Sequence, residues 1–421
     1  MMLVVLFAVF FILIAIGTPI AWALGLSALV SIATQDQIPL AVVAQRFFTT
    51  LDSFALIAIP LFMLAGVLMI ETGMTIKIIR FATLLVGHVR GSLAQVNVVS
   101  NVLFAGISGS ASADVAASGS ILIPAMRREK YDAGFAVALT AAASTIGPII
   151  PPSIMMIIYG SMAGVSIGAL FMAGIVPGIL LSLGFMTYCY FYAVKNKVPA
   201  SANRASGREI WKGFIDSALV LVLPVIIIGG IRLGFFSATE AGATAVAYAT
   251  CLGLFSGTLK VNRIKAVLVD AAFLSTISLM IIAAASAFGW ILARERLPAL
   301  AIEALSSVTE VPIVALFIVI AGLLLIGMFL EASAALIILI PVLVGVQASF
   351  GFDPVHFGLI VILTLVVGGI TPPIGNLLFI SASIARIPMS QVVGKIGAFV
   401  LVMIVVIVLI ALLPGLATIL T

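Results

Sequence analysis

Two acidic residues, Asp114 and Glu331, stand inside apolar stretches, each close to glycines able to leave helical geometry. The first stretch runs Gly106-Ile-Ser-Gly-Ser-Ala-Ser-Ala-Asp114 and, after an apolar run, reaches Gly147-Pro-Ile-Ile-Pro151-Pro152. The second runs Gly327-Met-Phe-Leu-Glu331 and reaches Gly368-Gly-Ile-Thr-Pro372-Pro373. Backbone that breaks from a helix within a bilayer exposes amides and carbonyls that lipid cannot satisfy, so it must line protein or a wet cavity. Each break has a chemical polarity. The half-helix before it ends in free carbonyl oxygens, which suit a hard cation; the half-helix after it begins with free N–H groups, which suit a carboxylate. Proline at the start of the second half-helix needs no N–H partner.

These breaks define the candidate ligands. Ser108, Gly109, Ser110 and Ser112 offer hydroxyls and carbonyls near those of Ile146 and Gly147. In the second stretch, Gly327 and Met328 would face Gly368, Gly369 and Thr371. Mostly neutral oxygen ligands favour Na⁺ over a transition metal, so two Na⁺ sites are expected, with no organic cofactor. An anionic substrate would lie between them, held by Ser110, Ser112, Pro151, Pro152, Thr371, Pro372, Pro373 and Asn376. Asp114 and Glu331 are cation ligands or network anchors, or else compensate a helix dipole. Asn97, Asn101 and Asn376 read mainly as interhelical hydrogen bonders, and His88 and His356 as solvated residues at span ends.

The positioning elements follow from composition. With 63% hydrophobic and 8% charged residues, the chain cannot be a soluble globule, which averages about 25% charged. Apolar runs of spanning length recur throughout, giving an all-α polytopic membrane protein. Spans are expected near 2–32, 54–72, 132–160, 166–194, 214–231, 237–258, 270–293, 357–384 and 394–418. The first is a retained span, since it lacks the basic flank and cleavage site of a signal peptide. Cys189 and Cys251 lie in apolar runs, so neither a disulfide nor redox chemistry is expected. Segments 33–53, 74–90 and 295–311 are too polar to span and read as surface helices, a plain loop fitting the first equally well.

An internal duplication organises these spans. Identical Ile-Leu-Ile-Pro blocks end at Pro124 and Pro341, an offset of 217 residues, and the double prolines lie 221 apart. The difference implies about four residues inserted between the anchors, and at the first offset Asp114 aligns with Glu331. Reading 92–126 and 313–341 as re-entrant hairpins puts 16 of the 20 Lys and Arg residues on one side, which the positive-inside rule assigns to the cytoplasm. The two hairpins then open to opposite faces. Inverted-topology repeats of this kind mark secondary transporters. On this map the N-terminus is cytoplasmic, the C-terminus is periplasmic, and 195–213 is a cytoplasmic linker, with spans 214–231 and 237–258 added after it.

Enzyme signatures are missing. Gly106-Ile-Ser-Gly-Ser110 departs from Gly-x-Ser-x-Gly at its last position, no histidine lies nearby in sequence, and there is no phosphate loop. A serine hydrolase using Ser108 or Ser110 is a remote alternative, and a purely structural scaffold another.

The sequence Gly-Ile-Ser-Gly-Ser-Ala-x-Ala-Asp, then Gly-Pro-x-Ile-Pro-Pro-Ser and Gly-x-Ile-Thr-Pro-Pro-x-Gly-Asn, resembles the large membrane subunit of tripartite ATP-independent periplasmic (TRAP) transporters. The resemblance covers nearly the whole chain. It implies a bacterial inner-membrane permease that works with a small four-helix membrane subunit, expected on a separate polypeptide, and a soluble periplasmic substrate-binding protein. Substrates implied are organic acids such as sialic acids and C4-dicarboxylates, taken up with Na⁺. The family is similar to divalent-anion/Na⁺ symporters, in which a hairpin-bearing domain moves like an elevator; a stand-alone anion symporter is the nearer alternative. The implied division makes 92–165 and 313–386 the transport domain, with 1–91, 166–312 and 387–421 as scaffold. The energetics suffice: one net charge crossing 100 mV gives ~2.3 kcal/mol, and a tenfold Na⁺ gradient adds ~1.4 kcal/mol per ion.

Overall fold

The computed structural model describes residues 1–35, 38–198 and 204–421, and the described residues form α-helices joined by short connections, with no strand. Among the described residues, six helices are long and apolar enough to cross a membrane, including Ile167–Lys195, Gly207–Arg232, Val261–Arg294 and Ser390–Leu412. The chain is a polytopic helical membrane protein.

The first apolar run is not one span. It divides into α1 (Met2–Ala15) and α2 (Ile20–Ala33), parted by Gly17, whose φ is +84°, and Pro19. Proline cannot donate into a helix and a left-handed glycine reverses the chain, so α2 folds back on α1. The Ser31 hydroxyl donates to the Met2 carbonyl at 2.9 Å, so both ends meet. Each helix has 14 residues, about 21 Å long at 1.5 Å per residue, against a hydrocarbon core of ~30 Å. Met2 therefore lies on the same face as Ser31, where a single span would have put them on opposite faces.

After α2 come α3 (Ala41–Leu51), α4 (Ala58–Glu71) and α5 (Met74–Val86), then α6 (Ser92–Ser108) and α7 (Ala111–Arg128). All three segments expected along the surface are helical: α3, α5 and, later, α14. α6 and α7 are an antiparallel pair: Tyr131, just past α7, lies beside Gly91, just before α6. α8 (Ala133–Ser144) and α9 (Ile154–Ala163) are the halves of one broken helix, followed by α10 (Ile167–Lys195). Residues 199–203 of the expected linker lie outside the described residues. The linker is shorter than 195–213, because α11 (Gly207–Arg232) already begins at a capping box in which Ser206 and Glu209 satisfy each other's backbone N–H.

α12 (Ala238–Phe255), α13 (Val261–Arg294) and α14 (Leu297–Val308) lead to α15 (Pro312–Gly327) and α16 (Ala332–Ser349). The second broken helix is α17 (Pro354–Gly368) and α18 (Asn376–Ala385), and α19 (Ser390–Leu412) and the short α20 (Gly415–Thr418) close the chain. α15 and α17 lie side by side with Gly327 against Gly368, so their C-termini coincide.

The helix bounds recur at a spacing that differs from that of the Ile-Leu-Ile-Pro blocks. α7 and α16 start at 111 and 332 and end at 128 and 349, and α8 and α17 start at 133 and 354, each an offset of 221. Asp132 and Asp353, also 221 apart, cap α8 and α17 alike, accepting from the N–H groups of Phe135 and His356 at 2.8 Å. No residues are inserted between the anchors. The Ile-Leu-Ile-Pro blocks are instead one helical turn out of step, and Glu331 corresponds to Ser110, each the N-cap of its helix. Asp114 corresponds to Ala335.

Helices group by packing. α4 packs on α12 and α13, α2 on α13, and α5 on α11. Glu71 at the end of α4 takes a two-pronged hydrogen bond from Arg263 near the start of α13, at 2.7 and 3.3 Å. In the other group, α10 and α19 pack on α6, α8 and α17. Phe135 of α8 stacks on Tyr192 of α10, ring centres 3.5 Å apart, and contacts Phe399 of α19 at 5.9 Å. His356 is buried in this group, with Nε2 2.8 Å from the Ile410 carbonyl. It is not the solvated residue its place near a span end suggested, because α19 covers the start of α17.

Candidate functional site

The turn between α6 and α7 is built by Gly109, whose φ of +59° admits a left-handed cap, and Ser110, which is extended and begins α7. A Cβ on Gly109 would overlap the Pro152 carbonyl, and the Gly109 carbonyl accepts from the Ile154 N–H at 3.4 Å. The tip of the α6–α7 pair thus sits directly on the break between α8 and α9. Within it, the Ser108 hydroxyl donates to Asp114 Oδ1 at 2.5 Å and accepts from the Ser110 N–H at 3.3 Å. Asp114 is 1% exposed, and its Oδ2 has no hydrogen-bond donor. A side chain on Gly147 would overlap that oxygen.

Sequence reasoning placed Ser108, Gly109, Ser110 and Gly147 together, and they are together. Ser112 lies at the solvent side, its hydroxyl 3.1 Å from that of Ser110. Ile146 contributes less than expected, because its carbonyl already accepts from Ile149 and Ile150 at 3.0 and 2.9 Å in the turn that ends α8. Pro151 and Pro152 are buried at the break and joined by a cis bond; Pro372 and Pro373 are also joined by a cis bond, but Pro372 is half-buried and Pro373 exposed.

The second site is a meeting of backbones. A Cβ on Gly368 would come within 2.5 Å of the Gly327 Cα and carbonyl carbon, so only glycine allows α15 and α17 this close. Among the described residues no backbone N–H is directed at the carbonyls of Gly147, Gly327 or Met328. The Gly369 carbonyl accepts from Leu377 at 3.2 Å, and the Thr371 hydroxyl donates to Val367 at 2.7 Å. Asn376 is exposed at the start of α18. Glu331 departs from Asp114 in its work: its carboxylate accepts from the Ala334 N–H at 2.9 Å and caps α16.

A polar chain supports the first tip from behind. Asn101 donates to Asn97 Oδ1 at 2.9 Å, Asn97 donates to Thr140 of α8 at 2.8 Å, and Ser118 donates to the Asp114 carbonyl at 2.7 Å. Asn97 bonds between helices as expected, and Asn101 does so only by accepting from Ser118 of α7 at 3.4 Å, since its own amide donates within α6. Ser118 and Thr140 were missed, since a single serine or threonine in an apolar run carries no spacing signal.

Chemically, a buried carboxylate oxygen without a donor, a glycine notch beside it and free carbonyls nearby fit a small hard cation. Residues 7–416 match the family described as the tripartite ATP-independent periplasmic transporter, DctM component. The chain belongs to this family of TRAP transporter permeases. It is 38% identical to the sialic acid TRAP transporter large permease SiaM of Vibrio cholerae, over 94% of this chain and 93% of that protein. It is 37% identical to the 2,3-diketo-L-gulonate TRAP transporter large permease YiaN of Escherichia coli, over 93% and 92%. The C4-dicarboxylate large permease DctM of Pseudomonas aeruginosa is 36% identical, over 93% and 92%. TRAP permease membership agrees with the multi-pass helical fold.

Proposed function

We propose that this TRAP permease imports an organic acid, of the sialic acid or C4-dicarboxylate type, driven by Na⁺ across a bacterial inner membrane. It works with a small four-helix membrane subunit and a soluble periplasmic substrate-binding protein. The relatives' transport of sialic acid and C4-dicarboxylate supports the substrate class.

The single observation that carries the reading is the tip of α6–α7, with the donorless Asp114 Oδ2, seated on the α8–α9 break at Gly147. One Na⁺ would bind there, with the Ser108, Gly109, Ser110 and Gly147 region as ligands. A second would bind between Gly327, Met328 and Gly368–Thr371. Substrate carboxylate would meet the N–H ends of the second half-helices.

Two repeats of opposite orientation support an elevator. α6–α7 and α15–α16 act as re-entrant hairpins. Each second half-helix packs on the other unit's hairpin: α18 on α7, with the Arg127 guanidinium donating to the Ala385 carbonyl at 3.0 Å, and α9 on α16. α1 and α2 end 217 and 222 residues before α11 and α12 end, a spacing that supports reading those later spans as repeat mates in place of additions. The moving body is larger than 92–165 and 313–386 alone. It takes in α10 and α19, whose aromatic side chains interleave with α8. Placing the basic face in the cytoplasm puts the C-terminus outside. It also puts the N-terminus outside, because α1 and α2 form a hairpin.

The test is uptake by proteoliposomes holding all three components. Uptake should collapse when the Na⁺ gradient is removed and when the soluble protein is omitted. Uptake indifferent to Na⁺ overturns the coupling; uptake undiminished without the soluble protein favours the stand-alone symporter.

A further inference from the structure

Between α4–α5 and α6–α7 lies a small, partly enclosed cavity of about 10 Å³, walled on one side by Met69, Met74 and Thr75 and on the other by Phe104, Ser108 and Asp114. Its lining is almost wholly apolar. Two polar side-chain atoms of these walls are buried without a hydrogen-bond partner: Thr75 Oγ1 from the first wall and Asp114 Oδ2 from the second. Burying a hydroxyl or a carboxylate unpaired costs free energy comparable to a lost hydrogen bond. The volume matches a single water molecule. One water placed there would bridge the two, accepting from the Thr75 hydroxyl and donating to the Asp114 carboxylate.

We propose that Thr75 is a positioning residue that competes with Na⁺ for Asp114 through this bridge, an inference that rests on the sodium-driven, two-body reading above. Thr75 belongs to α5, which packs on α11 of the static group as well as on α6, whereas Asp114 belongs to α7 of the hairpin. With no cation bound, the bridge ties the carboxylate to the scaffold and restrains the hairpin. A cation on the Gly147 side draws the same oxygen away, breaks the bridge and releases the hairpin. Binding and release are then linked: whatever the bridge contributes to the empty state opposes cation binding. Removing the Thr75 hydroxyl must tighten Na⁺ binding, the opposite of damage to a ligand.

The experiment is thermal unfolding of the full-length detergent-solubilised chain, titrated with NaCl against choline chloride at constant ionic strength. Thr75→Val should lower the half-saturating Na⁺ concentration by about two- to tenfold, the factor one net hydrogen bond supplies. Thr75→Ser keeps the hydroxyl and should titrate as the unaltered protein does. Thr75→Ala removes the same group and serves where the valine variant does not fold. An unchanged or raised half-saturating concentration in both hydroxyl-free variants overturns the competition while leaving the sodium reading intact. An unaltered protein with no Na⁺-dependent stabilisation overturns both together.

Discussion

Gly147 and Asp114 come from different helices, yet the Gly147 Cα faces the carboxylate so closely that a methyl group would overlap Oδ2. A notch of this kind preserves room beside a charged oxygen, and filling it displaces either the carboxylate or the α8 end. Gly147→Ala should therefore abolish Na⁺-dependent stabilisation and uptake, with expression reduced far less. Normal sodium titration in this variant would remove the first site from consideration.

The Gly327–Gly368 crossing makes a separate prediction. Since a Cβ on Gly368 meets backbone and not a movable side chain, Gly368→Ala must push α15 from α17. Overpacking of this sort costs about 1–3 kcal/mol. Melting temperature should fall and uptake should be lost, while Gly322→Ala, in open space on the same α15, should behave as the unaltered chain.

Ser110 and Thr371 should act on the ions and not on folding. Neither side chain is fully buried, and their bonds are local, Ser110 to Ser112 and Thr371 to Val367. Ser110→Ala and Thr371→Ala should each raise the half-saturating Na⁺ concentration for uptake, several-fold, at near-normal expression. Unshifted sodium curves for both would sink their assignment as ligands.

Crosslinks can decide which helices travel together. Gly184 of α10 touches Val402 of α19, and Gly106 of α6 touches Pro224 of α11. A disulfide between cysteines at 184 and 402 should leave uptake intact, because both helices ride in one body. One between 106 and 224 should stop uptake until a reductant is added. Continued uptake with 106 and 224 joined would refute the two-body motion.

The Arg263–Glu71 pair is worth little by itself. The side chains are 56% and 29% exposed, and exposed pairs contribute about 0.2–1 kcal/mol, screened by salt. Arg263→Gln should lower the melting temperature slightly in low salt and not at all in 1 M salt, read by the same thermal assay.

Much of this molecule could be read without coordinates. Glycine, serine and proline inside apolar runs have few uses other than breaking helices, so the breaks near 109, 147–152, 327–331 and 368–375 followed from residue chemistry. The sequence did not show that residues 2–33 turn back on themselves, since an apolar run looks alike whether it crosses once or folds double; only the Ser31–Met2 contact decides it. Nor did the matching Ile-Leu-Ile-Pro blocks give the register, because one helical turn keeps an apolar face in place and the caps at Asp132 and Asp353 had to be seen. Which acid lies buried was likewise a tertiary matter. Asp114 is enclosed by Ser108 and Gly147 while Glu331 merely caps its own helix, and burial depends on what packs across a helix, which residue types alone do not specify.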